Sequence, residues 1–153
     1  MNTYNKSLAA TVYIVNGNKV LLHKHIKYNT WFPIGGHVEP DELPHQAAMR
    51  EIAEEAGIEV KLISTDVAPE IELNRVERVP SPFCILHEGI GREEEFLDFI
   101  YIGTTTETEL HPMSGESREY RWFSREDLEQ EEIKVHIKNT AIAVLIHNNN
   151  QWR

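Results

Sequence analysis

The stretch GGHVEPDELPHQAAMREIAEEAGIEV, residues Gly35–Val60, opens with two glycines and continues with scattered carboxylates and a helical pattern. Pro44 suits the opening position of a helix and Gly57 suits the residue just past a helix end, so we predict a helix over Pro44–Ala56. Leu43 stands before it, where a polar capping side chain is preferred. Asp41 is the expected cap if the helix begins earlier.

Three carboxylates share one face of this predicted helix. Glu51, Glu54 and Glu55 fall within roughly 100° of arc, because residues three and four apart are neighbours on a helix. Like charges at this spacing repel, and Arg50 offsets part of the repulsion by pairing with Glu54. Hard divalent cations prefer carboxylate oxygens, so a bound cation would relieve the rest. A solvated acidic face remains the alternative for such a cluster taken alone.

The residues upstream of the glutamates stand at fixed distances. Gly36 is followed after five residues by Glu42, and after seven more by REIAEEAGI, residues 50–58. This spacing resembles the Nudix hydrolase motif, G-x5-E-x7-R-E-U-x-E-E-x-G-U with U aliphatic, at every fixed position. The flanking segments WFPIGGHVE and RWFSREDL are similar to the family's approach to the motif and to a later strand-to-helix segment. The resemblance therefore covers most of residues 8–147.

The resemblance implies a fold and an activity. The fold is α+β, a Nudix-type α/β/α sandwich with a central mixed sheet. We expect one domain over residues 1–153, with a core at about 8–147 and a polar tail at 148–153. Family members typically cleave a diphosphate bond in a nucleoside diphosphate linked to another moiety. Modified (deoxy)nucleoside triphosphates, ADP-ribose, nucleotide sugars and dinucleoside polyphosphates all stay open as substrates.

The resemblance also implies roles for the motif residues. The metal-binding carboxylates would be Glu51, Glu54 and Glu55, with Mg²⁺ as the expected ion and Mn²⁺ as the alternative. Glu42 and Arg50 would orient them. Diphosphate hydrolysis needs charge neutralised on the phosphate oxygens and a water aimed at phosphorus, which a metal on these carboxylates supplies.

The general base is less firmly indicated. Glu54 is our candidate for base or base and ligand, because a carboxylate can accept the proton of the attacking water. The family also uses loop glutamates outside the motif. Glu116 and Glu119 are the alternatives here, and solvated loop acids are the simpler interpretation of both.

Several residues are candidates for the substrate side. Gly35 and Gly36 would let the backbone pass close to metal and phosphate, and His37 would touch a phosphate. Trp31 is the candidate for stacking on a base, with four further aromatic residues that fit a core or hairpin position as well: Tyr28, Phe83, Tyr101 and Trp122. His23 and His25 alternate on a strand, which we interpret as strand surface rather than a zinc site because no third ligand is near in sequence.

Composition bounds the partners. The chain has 153 residues, 41% hydrophobic and 26% charged, as in an ordinary globular domain. Its formal net charge of -10 disfavours nucleic acid polymers and anionic membranes, and leaves a small phosphorylated molecule as the expected substrate.

No membrane span and no secretory signal is indicated, so a cytoplasmic location is expected. The single cysteine, Cys84, lies in an apolar run and is interpreted as a small core residue. A homodimer is one open option.

The remaining elements follow from periodicity. Two apolar runs around Asn-Gly predict a hairpin, with strands at Leu8–Val15 and Lys19–His25. IKYNTWFPIGG is predicted to be a loop, and DVAPEIELNRVERVP receives no assignment. Further strands are predicted for IEVKLIS, PFCILH, EFLDFIYIG and YRWFS. Ser124, with Asp127, is predicted to cap a short helix. A last helix is predicted at about His136–His147, with the apolar stripe Ile137, Ala141, Val144 and Leu145.

Two other functions were weighed. A nucleotide or sugar-nucleotide sensor without turnover would share the fold, but such domains often have degraded glutamates and accompany a DNA-binding domain. An isoprenoid diphosphate isomerase depends on an active-site cysteine, and Cys84 is not near the corresponding segment. The intact motif favours the hydrolase.

Overall fold

The computed structural model describes residues 6–25, 28–64, 72–113 and 118–150, which form ten strands and three helices. In chain order they are β1 (Lys6–Asn16), β2 (Lys19–His25), β3 (Thr30–Phe32), β4 (Ile34–His37), α1 (Pro44–Glu55), β5 (Lys61–Ile63), β6 (Glu72–Leu73), β7 (Val76–Glu77), β8 (Cys84–Glu88), β9 (Glu95–Thr104), β10 (Arg118–Phe123), α2 (Arg125–Gln130) and α3 (Val135–Asn150).

Eight of these strands form one mixed sheet. Its main path runs β10-β2-β1-β9-β5, while β3 pairs with β2, β4 with β1 and β8 with β9. The β1–β9 pair is parallel and extends from Lys6↔Glu95 to Val15↔Thr104, and the other pairs of this sheet are antiparallel. The strands predicted for PFCILH and EFLDFIYIG are present as β8 and β9, which pair antiparallel. The prediction of an α+β fold around a central mixed sheet is also confirmed.

The sheet buries both faces, because successive side chains of a strand point to opposite sides. On β1, Tyr13 and Val15 enter the cluster that packs under α3, while Val12 and Ile14 enter the cluster that packs under α1. The α3-side cluster also contains the predicted stripe Ile137, Ala141, Val144 and Leu145. The α1-side cluster contains Ala48, Ile52 and Ile58, and full burial of a side chain such as Ile52 stabilises the fold by roughly 1.5–3 kcal/mol. A helix on each side of the sheet makes the sandwich.

The segment between β2 and α1 corrects one prediction. IKYNTWFPIGG was expected to be a loop, yet its last residues form β3 and β4. The hairpin strands β1 and β2 pair directly only at Val15↔Val20 and Asn16↔Lys19, and then diverge. Strand β3 pairs with the free part of β2, and β4 with the free part of β1. Local periodicity does not reveal three- and four-residue strands whose hydrogen bonds go to distant residues.

The helix termini agree with the sequence except at one cap. Helix α1 begins at Pro44 with Leu43 in extended conformation as its N-cap, so the alternative cap Asp41 is wrong. The Leu43 N–H donates to the Gln46 side chain at 2.9 Å, which satisfies that amide without a polar cap residue. Ser124 caps α2 as predicted, since its hydroxyl accepts from the Asp127 N–H at 3.1 Å.

The C-terminal helix is longer than predicted. The polar segment expected at 148–153 begins inside this helix, because α3 continues to Asn150. Asn148 is buried, and its side chain donates to the Gly17 carbonyl at 3.4 Å, at the turn of the first hairpin. Residues 151–153 lie outside the described residues.

Other strand boundaries shift modestly. The first strand extends one residue beyond Leu8–Val15 at its end and two at its start, and IEVKLIS contains only the short strand β5. The unassigned DVAPEIELNRVERVP contains the β6–β7 hairpin, and its residues 66–71 lie outside the described residues. Cys84 is half-buried against the α3-side cluster, and burial raises the pKa of its thiol, which fits the packing role. No helix in the described part of the chain is long and apolar enough to cross a membrane.

Candidate active site

Strand β4 lies directly against the glutamate face of α1. A β-carbon on Gly36 would lie 2.8 Å from Cδ of Glu51 and closer still to its Oε1, so a side chain there would displace the carboxylate. The Gly35 N–H donates to Glu55 Oε2 at 3.2 Å. The two glycines expected to permit a close approach therefore contact two of the three predicted metal-binding carboxylates.

Arg50 joins the remaining motif residues. Its Nε and Nη2 donate to the two carboxylate oxygens of Glu42 at 2.8 and 3.0 Å, a bidentate pair. Its Nη1 donates to Glu51 Oε1 at 2.9 Å and to Glu54 Oε2 at 3.3 Å. Its Nη2 also donates to the His37 carbonyl at 3.0 Å, which ties the helix to the end of β4. One guanidinium thus fixes three carboxylates and a strand end.

The charges around this guanidinium perturb one another. The Arg50 guanidinium holds the pKa of Glu42 below its usual range, with the Glu39 N–H as a second cause. The hydrogen bonds that Arg50 donates to Glu42, and then its contact with Glu51, raise the pKa of Arg50 further above its already high value. Both groups are therefore charged at neutral pH. Arg50 compensates part of the repulsion among the glutamates.

The three helix glutamates differ in exposure. The side chains of Glu51 and Glu55 are each 12% exposed, whereas that of Glu54 is 49% exposed. The first two are positioned by strand β4 and Arg50, and the third faces solvent with a single long contact to Arg50. Glu54 is thus the carboxylate of the three that is most accessible to a water molecule.

Two residues from strands β2 and β10 also contact Glu55. The Tyr120 hydroxyl donates to the Glu55 backbone carbonyl at 2.8 Å, and the Tyr120 ring stacks on His23 at 5.9 Å. His23 Nε2 lies 4.0 Å from Glu55 Oε2 and 3.0 Å from the Pro33 carbonyl. His23 is buried, so its interpretation as strand surface is wrong. Sequence reasoning missed Tyr120, although alternation along YRWFS separates it from Arg121 on the other face.

The C-terminal end of α1 is closed by a loop. Gly57 has a φ of +62°, and a β-carbon there would collide with the His111 carbonyl. The His111 N–H donates to the Ala56 carbonyl and the Met113 N–H to the Glu54 carbonyl, each at 2.8 Å. With Tyr120 on the Glu55 carbonyl, three carbonyls at the helix end that lack helical partners are satisfied. These hydrogen bonds hold the end of α1 that carries Glu54 and Glu55 against the loop.

Not every candidate joins this group. Trp31 is 4% exposed, with its ring edge against Phe123 in the α3-side cluster, so the predicted stacking on a base is corrected to a core role. Tyr101 is likewise buried. Phe83 packs against the α3-side cluster, and Trp122 donates to the Thr108 carbonyl. Of these aromatic residues, Tyr28 is exposed.

Glu119 does not join the motif residues either. Glu119 lies 3.7 Å from Lys24, and its strand position alternates with Tyr120, which faces Glu55. Its side chain therefore points to the other face of β10. Glu116 lies outside the described residues, as does the side chain of His25. His37 is exposed at the end of β4, 3.7 Å from Glu94.

The NUDIX domain family model matches residues 5–144 of the chain. The chain belongs to the Nudix family. Its fold agrees with solved structures. A Nudix-family hydrolase from Clostridium perfringens is 33% identical, with a TM-score of 0.78, over 95% of this chain and 97% of that one.

Two more distant structures share the Nudix fold. A MutT Nudix hydrolase from Burkholderia pseudomallei is 21% identical, covers 92% of this chain and 95% of its own, and has a TM-score of 0.62. A MutT protein from Methanosarcina mazei Go1 is 17% identical, covers 97% and 99%, and has a TM-score of 0.71. Nudix membership supports general hydrolase activity on a small-molecule substrate, and Nudix enzymes generally use divalent cations.

The motif residues suit such a cation chemically. Carboxylate oxygens are the ligands that hard divalent ions prefer, and Gly36 leaves the space beside Glu51 free of a side chain. Within the described ranges, no three His, Cys, Asp or Glu side chains are arranged as a ready metal site. The carboxylates are instead engaged by Arg50 and the Gly35 N–H. The donor chemistry of these carboxylates fits a divalent ion.

Proposed function

We propose that this protein is a Mg²⁺-dependent hydrolase that cleaves a diphosphate bond in a nucleoside diphosphate linked to another moiety. The observation that carries the proposal is the Arg50 cluster. One guanidinium holds Glu42, Glu51 and Glu54 beside the glycines of β4, so acidic oxygens and a backbone free of side chains face the same space. Mn²⁺ is the alternative ion.

A divalent ion on these carboxylates would neutralise phosphate charge and make a bound water more acidic. The protein's part is positioning. Glu51 and Glu55 are held by Arg50 and the Gly35 N–H, which makes them suited to fixed ligands. Glu54 is the accessible carboxylate, and we assign it to accept the proton of the attacking water and to share in metal binding. His37, at the exposed end of β4, is assigned to the phosphate chain.

The net charge of -10 is consistent with this assignment. An anionic substrate approaches an acidic protein with difficulty unless a cation accompanies it. A metal held by the motif would provide that attraction where it is needed. A cytoplasmic location and a homodimer stay predictions.

The test is hydrolysis of a panel that contains nucleoside triphosphates, ADP-ribose, nucleotide sugars and dinucleoside polyphosphates, with Mg²⁺ and with EDTA. We expect Mg²⁺-dependent turnover of at least one member, with products cut at the diphosphate. The Glu54→Gln protein should be nearly inactive, and Glu129→Gln, an exposed carboxylate on α2, should be unaffected. Full activity of Glu54→Gln would overturn the assigned role. Tight binding without turnover across the panel would favour the sensor.

A further inference from the structure

A cavity of about 850 Å³ connects the motif to the α3 side of the sheet. Its lining includes His23 and Gly35, the two residues that contact Glu55. It also includes Thr11, the strand partner of Gly35, and Asp98, whose side chains share the sheet face of Tyr13. A ligand with phosphates at the glutamates would therefore extend its other end toward Asp98.

Asp98 is an isolated acid in the apolar strand FLDFIYIG. It is 7% exposed, and the Thr11 hydroxyl lies 2.8 and 2.9 Å from its two carboxyl oxygens. A threonine hydroxyl has one hydrogen, so it satisfies one of these oxygens at a time. A carboxyl group at such depth needs further partners or a proton.

Glu88 is the second acid that lines this cavity. The register pairs Leu86 with Asp98, so Glu88 lies two residues further along β8 on the same face. Glu88 Oε1 is buried with no hydrogen-bond partner, and Oε2 lies 3.8 Å from His136 Nε2.

The protonation of the pair supports a role in recognition. Burial and then the contact with Glu88 raise the pKa of Asp98 to about 8, so it is a neutral acid at pH 7. The groups that face it or the mouth of the cavity are Thr11 and Tyr13 on β1, His87 and Glu88 on β8, and Arg92, Glu94, Lys134 and His136 around the opening. A neutral acid beside a second carboxyl offers one donor and several acceptors.

We propose that Asp98 and Glu88 determine substrate specificity by binding the hydrogen-bonding edge of a nucleobase that presents one acceptor beside two N–H donors. The acid hydrogen would meet the base's carbonyl, and the remaining carboxyl oxygens would accept its ring N–H and amino group. The aromatic rings of Phe96, Phe32 and Tyr28 line the same cavity and suit the faces of a planar base. The placement of the phosphates rests on the proposed function, whereas the base contacts do not.

The test uses nucleosides in EDTA, so that neither phosphate nor metal contributes. Guanosine carries the full edge, inosine lacks the amino group, and purine riboside lacks the carbonyl and both donors. Affinities measured by NMR titration should fall in that order, with guanosine about tenfold or more tighter than purine riboside, as expected for a bidentate contact. Purine riboside binding as tightly as guanosine, or no guanosine binding at about 10 mM, would overturn the proposal.

Substitutions of Asp98 and Glu88 test whether these two acids cause the preference for guanosine. In Asp98→Asn and in Glu88→Gln, the preference for guanosine should shrink to about threefold or less. Glu93→Gln, an exposed carboxylate at the nearby β8–β9 turn, should keep it. If Asp98→Asn does not fold, the partly exposed Glu88→Gln decides alone. An unchanged preference in Glu88→Gln would contradict the assignment. Graded nucleoside binding without any hydrolysis would instead count against the proposed function and leave this proposal standing.

Discussion

Gly36 and Glu51 are packed so closely that the Glu51 carboxylate occupies the place that a side chain on residue 36 would need. A β-carbon on residue 36 would lie 2.8 Å from Glu51 Cδ, and nearer to one of its oxygens. Glu51 cannot retreat freely, because Arg50 holds the same oxygen at 2.9 Å. The absence of a side chain at residue 36 is therefore a requirement of the glutamate geometry.

Gly36→Ala should accordingly impair hydrolysis more than folding. The new methyl group forces the Glu51 carboxylate away from its position, and misplacement by about 1 Å can cost on the order of 100-fold in rate. We expect a fall in kcat/KM of that size, measured with whichever panel substrate is turned over, with a small change in Tm.

Gly17→Ala is the matched control for that substitution. Gly17 has a φ of +61° in the first hairpin turn, with open space around the place of a β-carbon. The strain should cost about 1 kcal/mol of stability and leave kcat/KM unchanged. If Gly36→Ala also leaves kcat/KM unchanged, the close contact between residue 36 and Glu51 does not contribute to hydrolysis.

Arg50→Lys should lower activity although it keeps the charge. A lysine ammonium cannot make the bidentate pair with Glu42 and reach Glu51 as well. We expect kcat/KM to fall about 10- to 100-fold, because the carboxylate is no longer held. The double variant with Glu42→Gln should lose little more than the worse single variant, since both break one interaction. If the kcat/KM losses of the two single variants instead multiplied in the double variant, this would contradict a shared role of Arg50 and Glu42.

Metal binding should be visible in thermal unfolding without any substrate. A cation that binds only the folded protein at about 100 times its Kd adds roughly 2.7 kcal/mol, or about 5–10 °C for a chain of this size. We expect such a rise with Mg²⁺ for the native protein and for Glu129→Gln. Glu51→Gln and Glu55→Gln should show little rise. In EDTA, Glu51→Gln and Glu55→Gln should each have a higher Tm than the native protein, because removing one charge relieves the repulsion among the three glutamates. Equal Mg²⁺ stabilisation of all four proteins would place the ion elsewhere.

The sequence predicted α1 and its charged face well, because that information is local. Pro44, Gly57 and the spacing of the glutamates act within a few turns of one helix. Trp31 was misassigned because its burial depends on Phe123, far along the chain. The β3 and β4 strands were missed for the same reason.

The cavity could not be predicted from local sequence patterns either. Thr11, Glu88 and Asp98 come from three strands, and only the pairing of β1, β8 and β9 brings them together. A single acid within the apolar run FLDFIYIG was the available signal. An acid at a core-facing strand position needs a partner, and the sequence alone does not say which residue provides it.

Asp98 should make stability fall as pH rises through the neutral range. Its pKa is raised to about 8 in the folded protein, from an ordinary value of 3.8, mainly by burial. The folded state therefore binds this proton more tightly than the unfolded state does. The stabilising contribution is fully present below about pH 4, declines as the pH rises, and is lost as pH passes through about 8.

Asp98→Asn isolates this contribution, because asparagine is neutral at every pH. Other groups titrate in both proteins, so the quantity to measure is the difference in Tm between native protein and variant at pH 5, 7 and 9. We expect the native protein to lose stability relative to the variant from pH 5 to pH 9, by at least several degrees, since 1 kcal/mol corresponds to roughly 2–4 °C at this chain length. Glu93→Gln should show no such trend. A difference that stays constant with pH would mean that Asp98 is ionised in the folded protein, and the donor assigned to it in the cavity would then be absent.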